Sequence, residues 1–232
     1  MITLRPSAAR GHFDHGWLDT YHSFSFGRYV DREHMGFRSL RVINEDYVAP
    51  GMGFGEHPHE DMEILTYVVS GAVAHKDSTG SSGTIVPGDV QYMSAGSGIL
   101  HSEFNPSRSE RLHLLQIWIR PGQAGLPPRY DQKHFAAESR RNRLALVASP
   151  DGRDGSIRIN QDVALMATLL DAGASVRHEL GAGRAAWVQV VKGEVRLNGE
   201  ALGPGDAAAL TDEAAVQLDA VTAAEVLVFD LV

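Results

Sequence analysis

The chain has 232 residues, enough for one large β domain or for two domains of ordinary size. Hydrophobic residues make up 43% of it and charged residues 22%, close to the averages for soluble globular proteins, which excludes a disordered chain. The net charge of −8 comes without a concentrated basic footprint, which argues against direct binding to nucleic acid.

The sequence also predicts the compartment. No uninterrupted apolar run approaches the roughly 20 residues that a membrane helix needs. No apolar segment of signal-peptide length follows the first charges. The chain has no cysteine, which excludes disulfides, thiol nucleophiles and sulfur ligands for a metal. We therefore expect a cytoplasmic protein that does not bind a membrane.

Strands are predicted along nearly the whole chain. Short runs rich in β-branched, aromatic and aliphatic residues are bounded by Gly, Pro, Asp or Ser, a pattern typical of strands. Only Gln132–Ser139 has the pattern of a helical turn or two, and it follows a Pro/Gly-rich stretch, Pro121–Pro128, that predicts a linker. The clearest predicted strands are Met62–Val69, Leu112–Ile119, Val163–Leu170, Ala186–Val191 and Glu225–Leu231.

An internal repeat indicates two similar halves. The segment Val68–Val73 (VVSGAV) precedes a Pro-Gly-Asp turn that begins at Pro87. The segment Val190–Val195 (VVKGEV) precedes a second Pro-Gly-Asp turn that begins at Pro204. A strand, a glycine turn, a strand and a Pro-Gly-Asp turn thus occur twice in the same order. We expect two similar all-β domains.

Two pairs of potential metal ligands lie in the expected first domain, residues 1–130. One residue separates His57 from His59, and one residue separates His101 from Glu103. On a strand, both members of such a pair point to the same side. Three imidazoles and one carboxylate from two neighbouring strands form a donor set suited to Fe, Mn, Co, Ni or Zn. The spacing therefore predicts a site for a divalent metal ion.

The expected second domain, residues 131–232, has lost these donors. Alignment of the two copies of the repeat places Glu179 and Gly181 at the positions of the first pair. Leu218 and Ala220 fall at the positions of the second pair. One carboxylate alone does not form such a site, so we expect one metal ion per chain.

Other chemistry has little support. No serine lies in a Gly-x-Ser-x-Gly elbow, and the glycine-rich segment Ser78–Gly83 lacks the lysine of a phosphate-binding loop. Isolated histidines are expected on the surface or in ordinary hydrogen bonds. These are His12, His15, His22, His34, His75, His113, His134 and His178.

The first half of the chain resembles the N-terminal cupin domain of pirin and of short bacterial pirin-like proteins. The resemblance is carried by Gly51–Asn105, which contains GMGFGEHPHEDMEIL and GSGILHSEFN. The pirin pattern, His-Pro-His and later His-x-Glu, is met without gaps by residues 57–59 and 101–103. The likeness also extends to HGWLDTYHSFSFG near the start and RDGSIRINQD in the middle of the chain.

The resemblance implies an all-β bicupin, two antiparallel β-barrel domains of which the second is degenerate. It implies one metal ion in the first barrel, usually iron, with Glu103 as the carboxylate ligand beside the three histidines. Fe(II) is therefore expected, with Zn, Mn, Co, Ni or Cu as alternatives. In many other cupins the position of Glu63 is a ligand, and an unbroken strand would point Glu63 toward the metal. We instead expect Glu63 to be structural or to hold a ligand imidazole through its other nitrogen.

Two functions follow from the resemblance. The first is a metal-dependent dioxygenase that cleaves a flavonol- or catechol-like aromatic substrate with O₂, as quercetin 2,3-dioxygenases do. In this enzyme Glu103 would accept the proton of the bound hydroxyl. The second is a metal-containing redox sensor or transcriptional cofactor that acts through a protein partner.

Overall fold

The computed structural model describes all 232 residues, with 55% of them in strands and 4% in helices, which confirms the all-β class. The chain forms two compact units. We call Gly11–His134 the first domain, and Met1–Arg10 together with Phe135–Val232 the second domain. Each domain contains one seven-stranded sheet and one four-stranded sheet. None of the helices combines the length and apolar character of a membrane span.

The elements follow one another closely along the chain. Single-turn 3₁₀ helices lie at Ser7–Ala9 and Arg153–Gly155, and one short α-helix, α1, covers Ala137–Arg140. The first twelve strands are β1 (Ile2–Arg5), β2 (Gly11–Asp14), β3 (Leu18–His22), β4 (Leu40–Val48), β5 (Gly53–His59), β6 (Glu63–Ser70), β7 (Val73–Asp77), β8 (Ser82–Ile85), β9 (Asp89–Ser94), β10 (Ile99–Phe104), β11 (Leu112–Ile119) and β12 (Arg129–His134). The other strands are β13 (Ala145–Ser149), β14 (Ile157–Arg158), β15 (Val163–Leu170), β16 (Ser175–Glu179), β17 (Ala185–Lys192), β18 (Val195–Leu197), β19 (Glu200–Leu202), β20 (Ala207–Leu210), β21 (Ala215–Ala220) and β22 (Ala224–Leu231).

In the first domain the seven-stranded sheet has the order β12-β9-β6-β11-β4-β3-β2, and the four-stranded sheet has the order β5-β10-β7-β8. Strand β6 lies between β9 and β11, and its residues from Glu63 to Val69 are all buried. Burial on both faces explains why this strand appears in the sequence as a continuous apolar run rather than an alternating one.

The second domain repeats this arrangement, with the orders β1-β20-β17-β22-β15-β13-β14 and β16-β21-β18-β19. The two hairpins of the repeat, β6–β7 and β17–β18, turn at Gly71 and Gly193, where φ is +81° and +75°. A Cβ atom on Gly193 would lie 2.1 Å from the Ala223 carbonyl oxygen, so only glycine fits this turn. All five strands that we predicted by range are observed within one residue of their predicted bounds.

The division between the domains differs from the predicted boundary at residue 130. Strand β12 follows the predicted linker and pairs with β9, which keeps it in the first domain. Strand β1 pairs with β20, which places Met1–Arg10 in the second domain. The helical prediction for Gln132–Ser139 is wrong at its start, because residues 132–134 continue β12, and only one turn of helix follows.

Candidate metal centre

Strands β5 and β10 bring the predicted ligands together. The two strands are antiparallel neighbours, and His57 lies directly opposite His101. Along β10, His101 and Glu103 are buried while Leu100 and Phe104 are exposed, which is the alternation expected of a strand. A register shift between His101 and Glu103 places Glu103 opposite Phe54.

Three imidazoles form the centre of the site. The ligand nitrogens of His57, His59 and His101 all lie within 4.8 Å of one another. The Nε2 atoms of His57 and His101 are 3.1 Å apart. The Nδ1 atom of His57 donates a hydrogen bond of 2.7 Å to the Gly55 carbonyl oxygen, so the lone pair of this ring is on Nε2 and faces the other rings.

Their surroundings keep the rings of His59 and His101 neutral. Burial lowers the pKa of His101 to about 3, and the nearby His57 and His75 act in the same direction. Burial, together with His101 and His57, lowers the pKa of His59 to about 4. Neutral imidazole is the form that coordinates a metal. Three imidazoles whose nitrogens lie within 4.8 Å of one another, two of them held neutral by burial, therefore fit a divalent transition metal ion.

Glu103 is buried and held by three donors from the seven-stranded sheet. Its Oε1 accepts hydrogen bonds from Thr66 Oγ1 at 3.1 Å and from Gln91 Nε2 at 2.7 Å. Its Oε2 accepts one hydrogen bond, from Gln116 Nε2 at 2.7 Å. These donors lie on the neighbouring strands β6, β9 and β11. Because a carboxylate oxygen has two lone pairs, Oε2 keeps one for another partner.

His75 is a residue of the site that the sequence analysis missed. It lies on β7 opposite Glu103, and its ligand atoms lie within 4.8 Å of those of His101 and Glu103. Its Nε2 is 3.0 Å from Asp77 Oδ2, and its ring stacks on Tyr130 at 4.7 Å. The prediction that His75 forms an ordinary hydrogen bond is therefore confirmed. The sequence did not predict that His75 lies beside the candidate ligands. The one-residue spacing of His75 and Asp77, which repeats that of the ligand pairs, was the available signal.

Glu63 lies in neither ligand group. Its carboxylate accepts hydrogen bonds from the Tyr92 hydroxyl at 2.5 Å and from Ser94 Oγ at 2.8 Å. The strand between His59 and Glu63 is broken at Asp61, where φ is +45°, so the side-chain alternation of β5 does not continue into β6. This break removes the geometric argument for Glu63 as a ligand.

A cavity of about 410 Å³ opens beside the ligands. Phe13, Phe26, Phe54 and Trp118 form much of its wall, and Trp118 meets the ring of His59 edge-on at 4.8 Å. Strands β3 and β4 add polar side chains to the lining, a role that the sequence analysis did not assign to them. The polar and charged lining residues are His15, Thr20, His22, Arg28, Asn44, Asp46, His57, His59, Glu103 and Gln116.

Comparison with known proteins agrees with this architecture. The family Pirin matches residues 3–119, and the family described as quercetinase C-terminal cupin domain matches residues 146–231. Quercetin 2,3-dioxygenase of Escherichia coli K12 is 50% identical over 231 residues, covering 100% of this chain and 99% of the relative. A pirin-like protein of Caulobacter vibrioides is 40% identical and covers 99% of both chains.

Solved structures show the same similarity. The crystal structure of YhhW from Escherichia coli has a TM-score of 0.97 at 50% identity and covers 100% of this chain and 98% of that chain. A structure of bacterial pirin YhhW from Escherichia coli in complex with nickel(II) has a TM-score of 0.95 at 50% identity and covers 100% and 99%. That protein therefore binds a divalent metal ion within the same fold.

Proposed function

The chain belongs to the pirin family, and we propose that it is a metal-dependent dioxygenase that cleaves a flavonol- or catechol-like aromatic substrate with O₂. One observation carries the proposal. Neutral imidazoles and the carboxylate of Glu103 face a cavity with aromatic walls whose volume is in the range of small-molecule sites. The similarity to a protein named quercetin 2,3-dioxygenase supports a flavonol as the substrate class.

His57, His59 and His101 would hold the metal ion, with Glu103 as the fourth ligand. We propose Fe(II) as the ion, and the nickel(II) complex of the Escherichia coli pirin supports a site that also accepts other divalent ions. A divalent ion bound by these residues would act as a Lewis acid on the substrate hydroxyl and favour its deprotonated, electron-rich form.

The protein supplies a proton acceptor and a dry cavity. Glu103 Oε2 has one lone pair left, which would bind the metal ion in the free protein and, once the substrate oxygen takes its place on the ion, accept the proton of the substrate hydroxyl; Gln116 fixes the orientation of the carboxylate. Phe26, Phe54 and Trp118 pack against the aromatic rings and exclude water from the reacting atoms. Each of these contacts orients the substrate before the reaction begins.

Oxygen consumption tests this proposal. Protein purified without an affinity resin that carries metal is loaded with Fe(II), and oxygen uptake is measured with quercetin as the probe. We expect uptake that requires both the metal and the flavonol. A fully metal-loaded protein that binds quercetin without oxygen uptake would contradict the dioxygenase and favour a redox sensor that acts through a protein partner.

A further inference from the structure

We propose that Asp46 and Asn44 form a polar subsite that binds a second hydroxyl group of the aromatic substrate, separate from the hydroxyl at the metal. This inference rests on the proposed function for the class of substrate. It adds that the substrate carries two hydroxyl groups, one that binds the metal ion and one that binds this subsite.

Asp46 has an unusual environment for a buried carboxylate. It is 4% exposed and lines the cavity. Its only side-chain hydrogen bond comes from the Thr20 hydroxyl to Oδ1, and no Arg, Lys or His forms an ion pair with it. Buried carboxylates are normally paired with a cation or held by several donors. Burial accordingly raises the pKa of Asp46 to about 7. Because the Thr20 hydroxyl bonds to Oδ1, Oδ2 has no hydrogen-bond donor from the protein.

Asn44 is a second buried polar group without a partner. It is also 4% exposed and lines the same cavity. Its side chain makes no hydrogen bond, and its Oδ1 atom is buried. Buried side-chain amides are hydrogen-bonded in the large majority of proteins. An unpaired amide beside an under-satisfied carboxylate indicates that a ligand supplies the missing partner.

Strand order places this subsite close to the ligands. Asn44 and Asp46 are two residues apart on β4 and therefore face the same side of the sheet. Asn44 lies opposite Gln116 of β11, and Gln116 contacts Glu103. Neighbouring strands are about 4.8 Å apart, so the subsite begins one strand away from the residue that orients Glu103.

A phenolic hydroxyl matches these groups chemically. It donates to Asp46 Oδ2 and accepts from Asn44 Nδ2, so one hydroxyl forms a hydrogen bond with each side chain. At this subsite a carboxylate or phosphate of the substrate would lie against the acidic side chain of Asp46, which disfavours an anionic group there. The aromatic residues Phe26 and Trp118 in the same cavity suit the ring that carries this hydroxyl.

Anaerobic binding measurements test the subsite without requiring turnover. Nickel-loaded protein is titrated without O₂ with quercetin and with 3-hydroxyflavone, which keeps the metal-binding hydroxyl and lacks the others. The absorbance of the flavonol gives each Kd. The two added hydrogen bonds, to Asp46 and Asn44, predict that the wild type prefers quercetin by about tenfold. Asp46→Leu should reduce this preference to within about threefold and leave the affinity for 3-hydroxyflavone unchanged.

Two further variants keep the result interpretable. Asp46→Asn retains an acceptor and the side-chain shape, so it should fold and keep an intermediate preference. Asp89→Asn is the matched control, because Asp89 is a buried carboxylate of the first domain that does not line the cavity. It should keep the wild-type preference.

Two results would overturn the subsite. In the first, the wild type binds both flavonols with equal affinity. In the second, Asp46→Leu keeps the full wild-type preference for quercetin. A preference that depends on Asp46 without any oxygen uptake would instead reject the dioxygenase and leave the subsite intact.

Discussion

The central strands of the two domains follow the same order, but the side chains that they place in the interior differ. In each domain, two neighbouring strands of the four-stranded sheet each place two side chains in the interior, and these side chains lie opposite one another. These positions are polar in the first domain and apolar in the second. His75 lies opposite Glu103 and Asp77 opposite His101, whereas Val195 lies opposite Ala220 and Leu197 opposite Leu218.

The seven-stranded sheets show the same exchange. Thr66 of β6, which donates to Glu103, corresponds to Val188 of β17. The neighbours across the sheet change with it: Thr66 lies opposite Gln91 and Gln116, and Val188 lies opposite Ala208 and Val228.

The apolar residues of the second domain belong to one hydrophobic cluster. Burying a Val or Leu side chain contributes about 1.5–3 kcal/mol, whereas a buried polar group costs free energy unless it is fully paired. The second domain has therefore used these positions for its core. The first domain keeps polar groups there at a cost in stability, which is the usual signature of a functional site.

Loss of the metal ion is the largest expected effect, and it tests directly whether only the first domain binds metal. Wild-type protein should hold one metal ion per chain, and the double variant His57→Ala/His59→Ala should hold almost none, because two of three imidazoles are removed. Elemental analysis of protein loaded with excess Fe(II) and then desalted gives the stoichiometry. His178→Ala, in the second domain, should retain full occupancy. Two ions per chain, or occupancy that survives the double variant, would show that the comparison of the domains is wrong.

Replacement of Glu103 has the next largest expected effect. Glu103→Gln keeps the three histidines but removes the proton acceptor, since an amide does not accept the proton of a hydroxyl at neutral pH. We expect oxygen uptake per bound metal to fall by about 10²–10⁴-fold with quercetin. Glu45→Gln serves as the control and should stay near the wild-type rate. Equal rates per metal in Glu103→Gln and wild type would remove Glu103 from the chemistry.

Acid should release the metal from the first domain. The pKa values of His59 and His101 are lowered to about 4 and about 3 in the folded protein, against about 6.5 for a free histidine. Unfolded chains therefore bind more protons than folded ones between pH ~6.5 and pH ~3, so acid in this window destabilises the folded domain, metal-bound or metal-free. Protons also compete with the metal for the same lone pairs. Occupancy followed by equilibrium dialysis should fall as the pH approaches about 4, where His59 takes up a proton in the folded protein. Full occupancy that persists at pH ~3, where His101 is also protonated, would contradict histidine ligation.

The sequence allowed the fold and the clustering of the candidate ligands to be predicted, because both depend on local patterns. Glycine turns mark the hairpins of the repeat, and one-residue spacing places His57 with His59 on one side of a strand. The cavity wall was not predictable, because Asn44 and Asp46 reach the site only through the order of strands in the sheet. The domain boundary was displaced for the same reason, since the pairing of β1 with β20 joins residues far apart in the chain.

Thr66 and Val188 occupy equivalent positions of the two domains, and giving each position the residue of the other has the smallest expected effects. This pair of variants compares the two interiors most directly. Thr66→Val in the first domain removes a donor to Glu103 that also contacts Gln91 and Gln116, so oxygen uptake should fall several-fold. Gln91 and Gln116 keep their own hydrogen bonds to Glu103, so the loss of stability should be smaller than in Val188→Thr. Val188→Thr in the second domain buries a hydroxyl among Ala208, Val228 and their apolar neighbours, which should lower the free energy of unfolding by about 1–3 kcal/mol and leave uptake per metal unchanged. Urea denaturation and the oxygen electrode measure the two quantities on each variant. If Val188→Thr lowered uptake, or if Thr66→Val destabilised the protein as much as Val188→Thr does, the division between a stabilising interior and a reactive one would not hold.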